Sequence, residues 1–220
     1  IDNLVHIAHN VEIGENTVDP KITVLFRPLD SLTLRASAGS SFKVPSLLQT
    51  FGALTTVANQ ADLVGGTTFK PSITQGNPNL KPEFIDLFEL GIDKKLSTGN
   101  RLFASVYHRN TQNVVNRVNT VYNDSILNRI YSNIGDAKTT GFEIGAEFNK
   151  SEKWSSFLGL NLYNYSLQGS FDNKPVNNNA IIYSINLNST YRFWNDASLQ
   201  FTFNYLSDRI TAQGEDSRYY

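Results

Sequence analysis

Cysteine and methionine are both missing from the 220 residues. Without cysteine there is no disulfide, no thiolate metal site and no thiol nucleophile. Methionine is missing even at position 1, which accords with a piece of a longer chain. No stretch approaches the ~20 consecutive apolar residues of a membrane-spanning helix. A membrane protein built from strands is still allowed, because each barrel strand spans with about 10 residues of alternating character. An excess of one charge is lacking too: 19 Lys and Arg stand against 20 Asp and Glu. That balance argues against a dedicated nucleic-acid binder, which carries a clustered basic surface. Ile1-Asp2-Asn3 offers neither the basic start nor the apolar core of a signal peptide. What is abundant is aromatic: 14 Phe and 10 Tyr in a chain that is polar on average. Strands with one apolar and one wet face have that composition.

Residues 1–18 divide into three hexads, IDNLVH, IAHNVE and IGENTV, each opening on isoleucine (Ile1, Ile7, Ile13). A six-residue period with an aliphatic lead is the mark of a left-handed parallel β-helix. The wording resembles the hexapeptide-repeat UDP-acylglucosamine N-acyltransferase of lipid A synthesis. That resemblance implies a general base at His9, with His6 on the neighbouring hexad. The rhythm stops at Asp19-Pro20, and one coil cannot bury its own interior face. The expectation is a foreign junction (a fusion, a cloning artefact or a mis-joined assembly) with no β-helix coil and no acyl transfer.

From Lys21 onward the period becomes two, the strand period. In 181–193, Ile181, Tyr183, Ile185, Leu187, Tyr191 and Phe193 share one face, while Ser184, Asn186, Asn188, Thr190 and Arg192 share the other. Leu199, Phe201, Phe203 and Tyr205 repeat the pattern after a turn at Trp194–Asp196. Phe142, Ile144, Ala146 and Phe148 oppose Glu143, Gly145, Glu147 and Asn149, and Phe88, Leu90 and Ile92 oppose Glu89, Gly91 and Asp93. The spacing predicts about eight long strands in four hairpins: 21–27 with 32–43, 84–96 with 101–116, 142–149 with 156–166, and 181–193 with 199–205. Tight turns fall at one end, and long polar links at 46–82, 117–134 and 169–179 fall at the other. Outer-membrane barrels are built with that asymmetry. Tyr107, Tyr131, Trp154, Tyr163, Tyr165, Tyr191 and Trp194, near strand ends, fit aromatic girdles at the lipid–water interfaces. A soluble β-sandwich alternates as well, but its strands are usually five or six residues long. The alternation thus favours an all-β fold, an antiparallel transmembrane β-barrel, over the sandwich; that the barrel is partial, an open arc of a larger one, is implied by a family resemblance carried by three motifs.

Three segments then stand in order along the chain: LTLRASAGSSFKVPSLLQTFG (32–52), GNPNLKPEFIDLFELGID (76–93) and YSNIGDAKTTGFEIGAEF (131–148). Together they resemble TonB-dependent outer-membrane receptors, and the likeness covers about 21–220. Lys43 replaces the arginine usual in the first motif. Each motif also has a plain architectural meaning. Pro78 and Pro82 fix φ and remove donors, giving a stiff leader into the strand that starts at Glu83. Asn77 and Asn79 suit turns, and Gly141 and Gly145 leave room on the inner wall. The resemblance implies a barrel of 22 strands around a plug, of which 19–220 would be a middle-to-late arc lacking plug and closing strands. It also implies a place in the cell outer membrane among its lipid. The TonB complex would be engaged only through the missing plug, in uptake of a nutrient whose class the sequence does not reveal.

Chemistry of the catalytic kind finds no foothold. His108 sits in an alternating strand without a partner at ligand spacing, and no serine lies in a nucleophile elbow. Gly65-Gly66 is a plain loop pair and not a phosphate loop. Glu143 and Glu147 read as ordinary inward carboxylates. No catalytic, cofactor-binding or metal residue is assigned, no ligand-binding residue is named, and no enzyme or cofactor is expected. The leading function is TonB-dependent nutrient uptake, with the 46–82 loop contributing to binding. The alternative is a non-transporting outer-membrane barrel with binding loops, and the N-acyltransferase of 1–18 stands third.

Overall fold

The computed structural model describes residues 19–51, 56–58, 62–64, 67–69, 72–96, 99–122, 126–151, 153–194 and 197–216. The hexads at 1–18, with His6 and His9, lie outside the described residues. In chain order the elements are β1 (Lys21–Leu29), β2 (Leu32–Lys43), a one-turn helix α1 (Leu47–Thr50), β3 (Thr56–Ala58), β4 (Asp62–Val64), β5 (Thr67–Phe69), β6 (Ser72–Gln75), β7 (Glu83–Lys95), β8 (Arg101–Tyr122), β9 (Ile126–Ser151), β10 (Trp154–Phe171), β11 (Lys174–Trp194), β12 (Ala197–Leu206), β13 (Arg209–Thr211) and β14 (Gly214–Asp216). The eight long strands form one sheet in the order β1-β2-β7-β8-β9-β10-β11-β12. Each pair is antiparallel. Neighbours in sequence are neighbours in space, as the four-hairpin reading expects.

Register turns the period-two pattern into two surfaces. One row across seven strands reads Val24, Ala36, Leu90, Val106, Phe142, Leu162, Tyr183. The row one residue away reads Leu25, Arg35, Gly91, Ser105, Glu143, Asn161, Ser184. A slip of one residue anywhere would exchange them. The apolar row is exposed: Leu90 is 61%, Val106 55% and Phe142 40% accessible. An apolar surface of this extent is not tolerated by water.

That surface ends in a polar row, Ser40, Asp86, Asn110, Lys138 and Ser166, on the same face of five adjacent strands. Ser40 Oγ donates to Asp86 Oδ1 at 2.5 Å within it. At the tight-turn end, Trp154, Tyr191 and Trp194 are exposed on this face, and Trp154 Nε1 donates to Ser189 Oγ at 3.0 Å. Along β9, ten residue steps separate Lys138 from Phe148. At ~3.3 Å per residue and a tilt of about 40°, the apolar band is roughly 25 Å tall, the thickness an outer-membrane barrel presents to lipid.

Where links are expected at 117–134 and 169–179, the described residues are strand apart from the turn at Asp172-Asn173. β8 and β9 run 22 and 26 residues, and β10 and β11 run 18 and 21, so these strands continue well beyond the apolar band. β10 turns into β11 through two residues only, Asp172 (φ 50°) and Asn173 (φ 60°), with Phe171 paired to Lys174. Two consecutive left-handed residues make the turn whose twist matches paired strands, and Asp and Asn tolerate it. The buried core lies here as well: Val114, Val118, Ile134, Ala137, Leu167 and Val176 cluster in these extensions. The apolar band itself has no core on its outer side. The long 46–82 link is as expected, and it returns along β9, where β6 pairs parallel with Leu127–Ile130.

Candidate functional site

The polar face is a wall of side chains that reach over one another. Gly141 and Gly145 on β9 make that possible. A Cβ on Gly141 would stand 2.7 Å from Tyr107 Oη, and one on Gly145 would run into the Phe103 ring. In the glycine gaps Tyr107 crosses β9 and donates to Asn161 Oδ1 on β10 at 3.0 Å. Phe103, four residues earlier on β8, crosses β9 at Gly145 and stacks on Phe157, ring centroids 6.4 Å apart. Arg101 lies 5.1 Å from the Phe103 centroid and pairs with Asp93 and with Glu147, the latter at 3.0 Å. Arg35 pairs with Glu89. These pairs are partly exposed and contribute little stability each. Their consequence is a wall carrying fixed charges of both signs.

At the top of the wall a chain of contacts around Glu83 joins the three motif segments. Glu83 is buried, 7% exposed. Its Oε1 accepts from the Val115 N–H at 2.7 Å and its Oε2 pairs with Lys43 Nζ at 3.2 Å. Val115 follows a bulge in β8, where Asn113 is left-handed (φ 57°) and the register shifts. Asn133 holds the leader strand in place: its Oδ1 accepts from Lys81 N at 2.8 Å, and its Nδ2 donates to Lys81 O and Asn113 O at 3.0 and 2.6 Å. Asn77 Nδ2 donates to Tyr131 O at 2.9 Å. Gly135 lies so close to Gly169 that no side chain fits at either position. The motifs thus describe a single junction, in which the stiff leader before β7 is clasped onto β8 and β9.

Below the junction the wall holds a cavity of about 350 Å³ lined by Tyr107, Arg109, Glu143, Asn161, Tyr163 and Tyr165. Above it the β13–β14 hairpin folds across the same face. Asn178 Nδ2 donates to Thr211 O at 2.7 Å, and Ala212 packs on the buried apolar cluster. A second cavity of about 330 Å³ opens beneath, between Asn116, Tyr163, Ile182 and Thr211.

Glu143 and Glu147 stand on the polar wall, and Phe142, Ile144 and Phe148 on the apolar face, as the alternation requires. The girdle reading needs correction at three residues. Tyr107, Tyr163 and Tyr165 line the polar wall, because their odd-numbered positions share the parity of Ser105 and Asn161. That parity was the available signal, together with the glycines that Tyr107 covers. His108 is on the apolar face, its Nδ1 2.7 Å from Thr140 Oγ1. Among the described residues no group of His, Asp and Glu could hold a metal ion.

A family model described as the outer membrane protein beta-barrel family matches residues 70–220. The chain belongs to that family. It is a protein of the cell outer membrane, and its apolar face is the face toward lipid. No curated protein matches the chain. Among solved structures, the siderophore receptor PirA from Pseudomonas aeruginosa matches 90% of this chain at 19% identity and a TM-score of 0.53. A mutant of the ferric enterobactin receptor PfeA from Pseudomonas aeruginosa, in complex with enterobactin, covers 92% at 16% identity and 0.47. The copper transporter OprC covers 83% at 15% identity and 0.48. The chain spans 40%, 37% and 32% of those three proteins. The PirA superposition shows the fold: an open antiparallel arc matching part of that receptor's barrel. The family match begins at residue 70, and no comparison supports the acyltransferase resemblance of residues 1–18.

Proposed function

We propose that this chain forms part of the barrel wall of a TonB-dependent receptor that takes a nutrient across the outer membrane, the plug being supplied by another part of the same protein. The observation that carries the proposal is the junction at Glu83. The three segments that resemble such receptors are far apart in sequence, yet Lys43, Glu83, Asn113 and Asn133 lock together. The charged wall fits the role, since a plug inside the lumen needs polar groups of both signs to pack against without an apolar seal. A second reading, a non-transporting barrel whose outer loops bind a partner, draws on the β13–β14 hairpin, which occupies the space above the wall. The test is growth of a strain deleted for the complete gene, beside a strain deleted for TonB, on limiting iron chelates, copper, vitamins, glycans and peptides. A nutrient on which both strains fail supports transport. Normal growth of the gene deletion on every one of these, with an intact barrel in the parent, rejects it in favour of the second reading.

A further inference from the structure

The lipid face is not evenly covered by its side chains. On β2, Ala36 stands between Val24 and Leu90, and Ala38 between Ile22 and Phe88. Between these larger neighbours lies a groove of about 630 Å³ on the outward surface. It is apolar over most of its length. At its upper end it reaches His108 and Thr140, whose Nδ1 and Oγ1 are 2.7 Å apart.

One step above the groove runs the polar row Ser40, Asp86, Asn110, Lys138 and Ser166. Lys138 is exposed, and Asp86 accepts from Ser40 Oγ at 2.5 Å. Above Asp86 on the same face the Phe84 ring is exposed. Asp136, the outward residue of β9 above Lys138, accepts from the Asn113 N–H at 3.2 Å. With the tight turns on the periplasmic side, groove and row lie in the outer leaflet. Polypeptide laid over the groove would carry unmet backbone N–H and C=O groups into hydrocarbon, which is prohibitive. An acyl chain carries none, and it brings a headgroup to the row above.

We propose that groove and row together bind one molecule of a phosphorylated, acylated glycolipid of the outer leaflet. An acyl chain lies over Ala36 and Ala38. The phosphate meets the Lys138 ammonium, a charge-assisted contact, with the Ser166 hydroxyl beside it on β10. Like charge keeps the phosphate away from Asp86, so the sugar lies at that end. Its hydroxyls donate to the Asp86 carboxylate, exchange hydrogen bonds with Asn110 and rest against the Phe84 ring. From Lys138 to Asp86 the row spans two strand spacings, roughly 10 Å, which suits a sugar headgroup better than a glycerol phosphate. The proposal is independent of transport, since it concerns the lipid face in either reading of function.

The test places the complete protein in phosphatidylcholine nanodiscs holding a trace of lipid A, and native mass spectrometry counts the lipid kept by each barrel after mild detergent extraction. The parent is expected to keep lipid A. Lys138→Gln is expected to bind it about tenfold more weakly, through loss of one charge-assisted contact. Ala38→Leu fills the groove and is expected to abolish retention, and Ala36→Leu repeats the test lower in the groove. Ala146→Leu, on the same face outside the groove, is expected to retain lipid A as the parent does. Tryptophan fluorescence shows beforehand that each variant is folded. Lipid A stripped of its phosphates is expected to bind the parent about as weakly as intact lipid A binds Lys138→Gln. Phosphatidylglycerol, with charge and chains but no sugar, is expected to be kept less well, and inorganic phosphate is expected not to displace lipid A. No retention by the parent, or full retention in Lys138→Gln or in both groove variants, would overturn the proposal. Equal retention of phosphatidylglycerol, or displacement by inorganic phosphate, would overturn it as well.

Discussion

Removing the carboxylate of Glu83 separates the two halves of the junction energetically. The lysine arm is weak: Lys43 is 63% exposed at its side chain, and an ion pair of that exposure contributes at most about 1 kcal/mol. The amide arm is stronger. Val115 N–H follows the bulge and donates at 2.7 Å to a side chain that is only 10% exposed. A hydrogen bond to a charged acceptor is worth roughly 1.5–3 kcal/mol, and leaving a buried donor unmet costs about 1–3 kcal/mol. Glu83→Gln keeps a carbonyl for Val115 and loses only charge, so about 1 kcal/mol is expected. Glu83→Ala strands the amide and opens a gap, so about 3 kcal/mol is expected. Lys43→Ala is expected to cost under about 1 kcal/mol. The assay is reversible unfolding of the complete protein in detergent or vesicles by urea, followed by tryptophan fluorescence, with amide exchange at Val115 as the local readout. If Lys43→Ala costs as much as Glu83→Ala, or if Gln is as damaging as Ala, then the amide arm does not hold the junction.

Gly145→Ala is expected to displace the Phe103 ring and destabilise by about 1–3 kcal/mol. The double variant with Phe103→Ala should recover part of that loss in a double-mutant cycle read by the same unfolding assay. Phe142→Lys, on the lipid side, is expected to cost roughly 2–4 kcal/mol for folding into vesicles, whereas Glu143→Lys one residue away costs much less; equal costs would mean that the faces are misassigned. Asn173→Val forces a β-branched residue into the left-handed region and is expected to cost about 1–2 kcal/mol, with faster amide exchange at Phe171 and Lys174. Residues 19–220 expressed alone leave β1 and β12 paired on one side only and the apolar face bare, so light scattering in plain buffer is expected to show association. A sharp monomer there would contradict the membrane assignment.

The faces were legible because alternation is local: Phe142 beside Glu143 specifies two surfaces whatever the rest of the chain does. Chain-order pairing followed from the tight turns at Pro28–Asp30 and Ser97–Asn100. The extensions were not legible, and the reason is physical. Beyond Gln112 the solvent changes from lipid to water, so 117–134 and 169–179 no longer show an apolar outward row. A polar strand and a polar loop then have similar composition. The one clear signal was Asp172-Asn173, a dipeptide suited to a two-residue turn, which contradicts an eleven-residue link at 169–179. The tyrosines on the wall were misread because an aromatic near a strand end suits a girdle equally well. Parity alone distinguishes Tyr107 from Tyr191, and it can be followed only where no bulge intervenes. The Glu83 junction was visible as three motifs but not as one object, since Lys43, Glu83 and Asn133 are brought together only by the pairing of β2, β7, β8 and β9.

The bulge at Asn113 also explains where the sheet is allowed to open. In lipid every backbone N–H and C=O must be paired within the protein, since each unmet group costs several kcal/mol. Below the bulge that condition is met for β8, because β7 and β9 flank it from Arg101 to Gln112. β9 has β10 as its second neighbour up to Gly135 and β6 again at Leu127–Ile130. Both second partners of the β8–β9 hairpin therefore depart at the same level, Gln112 on one side and Gly135 on the other. The outward polar row through Asn110 and Lys138 lies just beneath that level. Losing a neighbouring strand would be prohibitive in lipid and costs little in water, which is why β7 leaves β8 above Gln112 and not at Val106. Glu83 stands on that line, with its carboxylate supplying the first missing partner of the opened edge at Val115 and Gln213 supplying the next at Asn119. The junction that terminates the membrane-embedded wall thus also supplies the first partner that β8 takes in place of β7.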